Sequence, residues 1–276
     1  MLWHNCEWKD DDVALFTASD RLRYGDGVFD TALVIAPKGI IHGERHYNRL
    51  MRHAQIMGID APLPFSDWEN AALEMVERNG IEPGQYALNT IISRGAAAGA
   101  LGIPEKSDPQ IVIRLRPTPK EYPPVNAIIS SVRRNEGSPL SQIKSCNYGD
   151  ETLALKEAQE KGGNEAIMLN NAGNVACATT SNIFAVLDGE LVTPPLSDGA
   201  MDGIIRRLLI ERMGALEKTL TPETLKNAQG IYITNSVAGV RIVTSLDGKD
   251  MLHSSVSIDK DFHLERSYGD ATGTTS

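Results

Sequence analysis

The 276-residue chain has little cysteine and no long apolar run, and each shortage argues against a class of protein. Its three cysteines, Cys6, Cys146 and Cys177, form no CxxC pair, so neither a disulfide framework nor a structural zinc site is indicated. No window approaches the roughly 18 consecutive apolar residues of a membrane span. The polar, acidic start lacks the layout of a secretory signal, and with the cysteine usage this predicts a cytoplasmic protein.

Positive charge is also scarce. The formal net charge is -9 and the pI is near 5.2, which argues against a nucleic-acid partner, because a nucleic-acid binder needs a basic face. No GxGxxG segment follows an expected strand, which disfavours a dinucleotide enzyme. What remains is an apolar fraction of 41%, typical of a globular protein, in a chain long enough for two modest lobes.

Local patterns predict a mixture of hairpins and helices, which favours an α+β fold over a doubly wound sheet. Ser66 is expected to cap a helix, with Glu69 completing a capping box. Gly214 is expected to end another helix. Strands are expected at 13–17, 28–35, 40–42, 86–93, 110–115, 165–169, 174–178, 182–187 and 190–192, and helices at 44–57, 66–79, 151–161 and 203–213.

A proline-rich segment divides the chain. Residues 117–124 contain four prolines, which sustain neither a helix nor an inner strand. We therefore predict a smaller N-terminal α+β domain at 1–116, a linker at 117–125 and a larger C-terminal domain at 126–276. The end of the chain, from 265 to 276, is expected to be a loose tail.

Several motifs follow one another in a fixed order. They are Asp20 to Asp30, His46 to Leu50, Lys144 to Tyr148, Glu165 to Asn170, Val175 to Phe184, Gly203 to Arg206 and Thr234 to Ser236. Their order and spacing resemble the class IV (fold type IV) pyridoxal-phosphate enzymes over nearly the whole chain. This resemblance implies a two-domain fold like that of D-amino-acid aminotransferase, with the cofactor at the domain interface.

The resemblance assigns roles to individual residues. Lys144 would form the Schiff base with pyridoxal 5′-phosphate and then move a proton on the substrate. Taken alone, a lysine before a helix is usually a solvated surface group. The family pattern assigns the cofactor phosphate to the Arg49 guanidinium, the backbone amides of Ile204 and Ile205 at a helix start, and the Ser236 hydroxyl.

Three further side chains are implied to line the site. Tyr148 would lie near the cofactor ring, Tyr24 would face the substrate, and Arg94 is a candidate for substrate binding. Without the family context, the two tyrosines are more often core or rim aromatics. Taken alone, Arg49 is more often a surface residue of an amphipathic helix.

Cys177 departs from the family pattern. It stands where these enzymes carry a glutamate that keeps the pyridine nitrogen protonated, five residues before Asn182. A thiol is a weak donor, so a neutral ring and slower chemistry are expected. The alternative is that Cys177 is only a small buried strand residue.

A second departure concerns the substrate carboxylate. After Ser93-Arg94-Gly95, the family's D-amino-acid aminotransferases and lyases place an arginine that binds this carboxylate. Here the segment from Ala96 to Leu101 contains no basic residue. The carboxylate contact would come from Arg23, from Arg94 or from a partner subunit in a homodimer.

Three functions remain open at this point. The leading hypothesis is a pyridoxal-phosphate-dependent aminotransferase acting on a small amino acid or amine and a 2-oxo acid. The Lys144-x-x-Asn147 spacing resembles the D-amino-acid aminotransferase and aminodeoxychorismate lyase branch, so a 4-amino-4-deoxychorismate lyase releasing pyruvate is the second hypothesis. The third is a non-catalytic cofactor-binding protein, which the Cys177 departure keeps open.

Overall fold

The computed structural model describes residues 1–11, 13, 15–97, 101–119, 121–251, 258–259 and 262–264. The chain divides into two compact units. The first contains Met1–Pro119 and Lys144–Asn147, and the second contains Lys120–Ile143 and Tyr148–Leu264. The chain passes from the first unit to the second within the proline-rich segment. Lys144–Asn147, which the predicted boundaries put in the C-terminal domain, groups with the first unit because its backbone pairs with a strand there.

The first unit is built on a six-stranded antiparallel sheet in the order β2-β1-β6-β5-β3-β4. Its longest pairing joins β3 and β5 over their whole length, from Gly27 opposite Ser93 to Ala36 opposite Gly84. The strands are β1 (Leu2–His4), β2 (Glu7–Lys9), β3 (Gly27–Ala36), β4 (Gly39–Ile40), β5 (Gly84–Ser93) and β6 (Gln110–Pro117).

Two helices complete this unit, α1 (Gly43–Ile56) against β3 and α2 (Phe65–Arg78) against β6. Trp68 and Met75 of α2 are fully buried, which gives this helix an apolar face toward the sheet. The predicted cap at Ser66 is wrong. The helix begins one residue earlier because the Pro64 carbonyl accepts the Asp67 and Trp68 amides, and the Ser66 hydroxyl instead donates to Asp67.

A second expectation fails near the N-terminus. Residues 13 and 15–17 form no strand, and the intervening Ala14 lies outside the described residues. The strands that do form there, β1 and β2, are three residues each and too short for a period-two pattern to be recognised.

The second unit is built on a nine-stranded mixed sheet in the order β12-β11-β10-β13-β14-β7-β8-β9, with β15 also paired to β14. The pairs β11–β12, β14–β7 and β7–β8 are parallel, and the others are antiparallel. The strands are β7 (Val125–Arg134), β8 (Glu165–Asn170), β9 (Val175–Ala178), β10 (Asn182–Leu187), β11 (Glu190–Thr193), β12 (Leu216–Glu217), β13 (Gly230–Asn235), β14 (Gly239–Leu246) and β15 (Lys249–Asp250).

Three α-helices accompany this sheet: α3 (Gly149–Glu160), α4 (Ile204–Met213) and α5 (Pro222–Lys226). The central strands are buried on both faces, and alternate residues enter different cores. In β10, Ile183 packs in a cluster with Leu225 of α5, whereas Phe184 packs in a cluster with Leu208 of α4. Short 3-10 helices lie at Arg21–Tyr24, Pro139–Gln142, Leu196–Asp198 and Phe262–Leu264.

Within the described residues, no helix has the length and apolar character needed to cross a membrane. The expected tail at 265–276 lies outside those residues. So do Ala98, Gly99 and Ala100, the middle of the segment that lacks the substrate-binding arginine.

Candidate active site

Lys144 lies in a short extended segment that is fastened to β3. The Phe29 amide donates to the Lys144 carbonyl at 2.9 Å, and the Cys146 amide donates to the Gly27 carbonyl at 2.9 Å. The Lys144 Nζ lies 4.4 Å from the centre of the Phe29 ring. The backbone that carries the lysine is therefore held to β3 by hydrogen bonds of the kind that join two antiparallel strands.

Asn147, the last residue of the Lys144-x-x-Asn147 motif, binds the chain that precedes β3. Its side-chain amide donates to the Gly25 carbonyl at 2.9 Å. Gly25 has a φ of 71°, and a Cβ built there would lie 2.2 Å from the Asn147 Oδ1. Only glycine therefore allows this close approach, which ties the lysine segment to the chain preceding β3.

The other attachment of Lys144 comes from α1. The Lys144 amide donates to Nδ1 of His53 at 3.1 Å. His53 is 1% exposed and lies on the same buried face of α1 as His46 and Arg49, at spacings of three and four residues. This helix face is polar although it is buried.

A buried carboxylate organises that polar face. Asp30 of β3 accepts from Arg49 Nε at 2.8 Å, from Arg49 Nη2 at 3.0 Å and from His46 Nδ1 at 2.6 Å. Burial alone would raise the pKa of Asp30, but the charge of Arg49 and the contact with His46 hold it well below its ordinary value. Burial in turn lowers the pKa of His46, against the pull of Asp30. Asp30 is thus ionised, and His46 is a neutral donor.

These contacts determine what Arg49 can still bind. Asp30 occupies Nε and Nη2, while Nη1 makes no hydrogen bond to any described residue. Arg49 is therefore a rigid donor with one nitrogen to offer, which suits the phosphate role that the sequence predicts.

Arg94 makes several contacts within the first unit. Its Nε and Nη2 bind Asp26 at 2.8 and 3.0 Å, its Nη1 binds the Gly58 carbonyl at 2.8 Å, and its Nη2 also binds the Met57 carbonyl at 2.6 Å. These bonds use four of the five N–H groups of a residue that is buried. Arg94 thus fastens the end of α1 to Asp26, and its predicted contact with the substrate stays a prediction.

Tyr24 lies at the surface of the first unit. It ends the 3-10 helix Arg21–Tyr24, is 40% exposed, and has the Arg23 guanidinium 4.4 Å from its ring centre. Its exposure is compatible with the predicted contact to substrate.

In the second unit, the N-terminus of α4 is an open donor site. Gly203 precedes the helix without any side-chain cap, and the amides of Ile204 and Ile205 have no acceptor among the described residues. A Cβ at Gly203 would lie 2.0 Å from Oδ1 of Asn182, so a side chain there would collide with β10. Such a helix start is a ready anion site.

An orphaned hydroxyl lies on the same side of the sheet. Thr234 of β13 pairs with Asn182 across the sheet, and its buried Oγ1 has no hydrogen-bond partner among the described residues. Tyr232, two residues earlier on the same face, packs in the cluster that contains Ile204 and Ile205. A buried hydroxyl left unpaired beside unpaired amides fits a phosphate group that supplies the missing acceptors.

Ser236 and Tyr148 occupy turns of the second unit. Ser236 is half-buried in the turn between β13 and β14, where Oδ1 of Asn235 accepts the Val237 and Ala238 amides at 3.0 and 2.7 Å. Tyr148 precedes the first residue of α3, and its carbonyl accepts from Thr152.

Cys177 is buried in β9 opposite Met168 of β8, in a cluster with Ala154 and Ala158 of α3. Burial raises the pKa of its thiol to about 11, with the charge of Arg134 working against the carboxylates of Glu151 and Glu165. The cysteine is therefore a neutral thiol at physiological pH.

An ion pair lies near this cysteine. Arg134 pairs with Glu151, which lies on the buried face of α3 one turn before Ala154. The Arg134 guanidinium also donates to the Ser141 carbonyl at 2.8 Å. A carboxylate is thus present in the neighbourhood of residue 177, although it belongs to the helix and already has a partner.

The described residues thus divide into two groups. Lys144, Arg49, Tyr24 and Arg94 belong to the first unit, and only Lys144 and Arg49 share one polar cluster there. Tyr148, Cys177, Ile204, Ile205 and Ser236 belong to the second unit. The donors fit pyridoxal 5′-phosphate by their chemistry, since an amine, a guanidinium nitrogen, unpaired helix amides and an orphaned hydroxyl match an aldehyde and a phosphate.

Sequence reasoning missed Asp30, His53 and Thr234 as site residues. Asp30 and Thr234 stand inside segments that matched the family. His53 had a recognisable signal, because His46, Arg49 and His53 repeat at helical spacing among the apolar residues of α1.

Comparison with known proteins agrees with this architecture. The family model of class IV amino-transferases matches residues 27–246. A Methanocaldococcus jannaschii protein that bears the name of a branched-chain-amino-acid aminotransferase is 32% identical over 252 residues, covering 87% of this chain and 85% of that protein. The D-alanine aminotransferase of Bacillus licheniformis is 26% identical over 234 residues, covering 82% and 81%.

A solved structure shows the same fold. A Legionella pneumophila protein named for 4-amino-4-deoxychorismate lyase superposes with a TM-score of 0.80 at 28% identity, covering 88% of this chain and 91% of that one. The predicted α+β, fold type IV architecture is confirmed. Because the family model spans most of its length, the chain belongs to the class IV aminotransferases.

Proposed function

We propose that the protein binds pyridoxal 5′-phosphate covalently through Lys144 and transfers an amino group between a small amino acid or amine and a 2-oxo acid. The observation that carries this proposal is the anchoring of Lys144. Its carbonyl is held by β3, its amide is held by His53, and its neighbour Asn147 is held by Gly25. A lysine on the surface for solubility alone needs none of these attachments.

The remaining donors suit the cofactor phosphate. Arg49 offers Nη1, and its orientation is fixed by the two bonds to Asp30. The amides of Ile204 and Ile205 and the hydroxyls of Thr234 and Ser236 offer further donors in the second unit. When bound, the cofactor supplies an electron sink for the carbon that loses a proton.

Lys144 carries out the proton transfer in this proposal. Its amine would accept the proton from the substrate α-carbon and deliver it to the former aldehyde carbon of the cofactor, on the other side of the amino nitrogen. A fixed backbone keeps this amine within reach of both atoms, since proton transfer depends on distances near 3 Å.

Cys177 sets the expected rate. A neutral thiol gives the ring nitrogen no negative partner, so the electron sink is weaker than it would be beside a carboxylate. We therefore expect half-reactions slower than those of an otherwise identical protein with glutamate at position 177.

A lyase is the second candidate, and two observations favour it. The Lys144-x-x-Asn147 spacing is that of the branch containing aminodeoxychorismate lyases, and the Legionella pneumophila protein named for this activity shares the fold at 28% identity. Lys144 serves either reaction, so the geometry of the first unit does not separate the two.

Single-turnover mixing separates the candidates. The cofactor-loaded protein is mixed with D- and L-amino acids, and separately with 4-amino-4-deoxychorismate, while the visible absorbance and pyruvate release are followed. We expect the visible absorbance to change with either the D- or the L-amino acids and a 2-oxo acid to reverse this change. Pyruvate released from the chorismate derivative without an amino acceptor would establish the lyase. A protein that holds the cofactor but reacts with neither would be a binding protein only.

We also propose a homodimer. The loop after β5 exposes Leu101 and Ile103, whose relative exposures are 69% and 64%, and Arg21 holds this loop through the carbonyls of Leu101 and Gly102. Exposed apolar side chains such as Leu101 and Ile103 suit contact with a two-fold partner, the commonest soluble assembly. Sedimentation at micromolar concentration should give twice the chain mass of 30.0 kDa. A monomer with full cofactor occupancy would contradict this.

A further inference from the structure

His53 combines burial, polarity and a direct bond to the candidate reactive lysine. It is 1% exposed in the last turn of α1, and Nδ1 accepts the Lys144 amide at 3.1 Å. Since a backbone N–H can only donate, Nδ1 carries no proton and the imidazole is the neutral tautomer protonated at Nε2.

The surroundings keep this imidazole neutral. Burial lowers the pKa of His53 to about 4, assisted by the positive charges of Arg49, Arg52 and Lys144 and opposed by Asp30. The acceptor therefore persists throughout the physiological pH range.

The bond lies where the chain enters the first unit. Residues up to Ile143 belong to the second unit, and the first unit begins again at Lys144. The carbonyl side of Lys144 is held by Phe29, while His53 holds its amide side. Removing His53 would remove the hydrogen bond that holds the amide side of the backbone carrying the amine.

We propose that His53 is a positioning residue that orients the backbone of Lys144, and through it the amine, for reaction with the cofactor and substrate. The proposal rests on the function proposed above. A neutral acceptor is suited to this place, because an aspartate or glutamate would hold the same amide but add a negative charge beside the lysine amine.

Two substitutions isolate the acceptor. His53→Leu keeps much of the volume and removes the acceptor, whereas His53→Asn places Oδ1 where the imidazole has Nδ1. Met75→Ala is the control, because Met75 is fully buried in α2 and its truncation lowers stability without removing a hydrogen bond.

The first measurement is amide hydrogen exchange in the protein without cofactor. The Lys144 amide should exchange about tenfold faster or more in His53→Leu and return toward the wild-type rate in His53→Asn. The amide of Leu88 serves as an internal reference, because β5 is paired on both sides at this residue. Equal protection of Lys144 in wild type and His53→Leu would overturn the bond.

The second measurement is the rate at which pyridoxal 5′-phosphate attaches to Lys144, followed by absorbance and borohydride trapping. His53→Leu should slow attachment about tenfold or more, and His53→Asn should restore most of it, while Met75→Ala attaches at the wild-type rate. If His53→Leu matches Met75→Ala, or His53→Asn is as slow as His53→Leu, the positioning role is wrong. A wild-type protein that forms no adduct would instead refute the proposed function, and hydrogen exchange would still decide whether His53 holds Lys144.

Discussion

In the first unit, the buried carboxylate of Asp30 stays ionised because Arg49 and His46 bind it. In the second unit, the buried thiol of Cys177 stays protonated because burial raises its pKa more than the charge of Arg134 lowers it. Both groups lie in the protein interior. Two things differ. The ordinary pKa is 3.8 for the carboxyl and 9.0 for the thiol, and only the carboxyl has direct hydrogen-bonding partners that offset the effect of burial on its pKa.

The contrast separates two tasks of a cofactor enzyme. The charged cluster of the first unit fixes the orientation of Arg49 and surrounds Lys144, so it positions reacting groups. A neutral thiol at residue 177 cannot adjust the protonation of a ring nitrogen as a carboxylate does. On our proposal, the chain keeps the positioning apparatus of its family and lacks one charge that tunes the cofactor.

Of the changes considered, removing Arg49 from the cluster of Asp30, His46 and Arg49 should have the largest effect on stability. Arg49→Ala leaves Asp30 buried without its main partner, so the free energy of unfolding should fall by about 3–5 kcal/mol. Cofactor affinity should fall as well, because Nη1 is lost. Chemical denaturation and cofactor titration measure the two effects.

Gln55→Ala is the matched control for this prediction. Gln55 is exposed on the same helix, and its truncation should change stability by no more than about 0.5 kcal/mol. If Arg49→Ala were equally mild, the Asp30 cluster would not hold the first unit together.

Adding a charge to the second unit should have a smaller effect on rate. If residue 177 faces the ring nitrogen, Cys177→Glu should accelerate a deprotonation-limited half-reaction about tenfold, equivalent to ~1.4 kcal/mol of carbanion stabilisation. Stopped-flow absorbance with a reactive amino acid measures this, and Cys177→Gln controls for side-chain size. A loss of stability without any change in spectrum or rate would mean that Cys177 only packs within the sheet.

Lowering the pH should destabilise the first unit, because its buried His53 is neutral when folded and takes up a proton more readily when unfolded. The pKa of His53 is lowered from 6.5 to about 4 on folding, so the unfolded chain binds the proton more readily and stability falls as pH drops through this interval. The loss from one such group is at most about 1.4 kcal/mol per pH unit. In His53→Asn the slope of unfolding free energy against pH should be shallower between pH 4 and 6.5. An unchanged slope would show that His53 does not titrate on unfolding.

The sequence was sufficient for those parts of the fold with strong local signals. Strands β3, β5 and β10 and helices α1, α3 and α4 follow from periodicity and from end signals such as Gly214. Strands β7, β13 and β14 were not predicted. β13 and β14 form a hairpin, but each also pairs with a strand distant in sequence, β13 with β10 and β14 with β7, and such pairings leave no local signal.

For the site, motif order identified Lys144, but contacts between distant residues decide what the other residues do. Arg94 follows a family turn, yet its function as a clamp depends on Asp26, Met57 and Gly58. His53 becomes meaningful only once Lys144, 91 positions later, is placed beside it. Such pairings are properties of the folded chain.

The most direct test of the account is the location of the covalent bond to the cofactor. Borohydride reduction of the wild-type protein loaded with pyridoxal 5′-phosphate, followed by peptide mapping, should place the phosphopyridoxyl group on Lys144. An adduct on the exposed Lys156 or Lys161 with Lys144 unmodified would contradict the account at its centre.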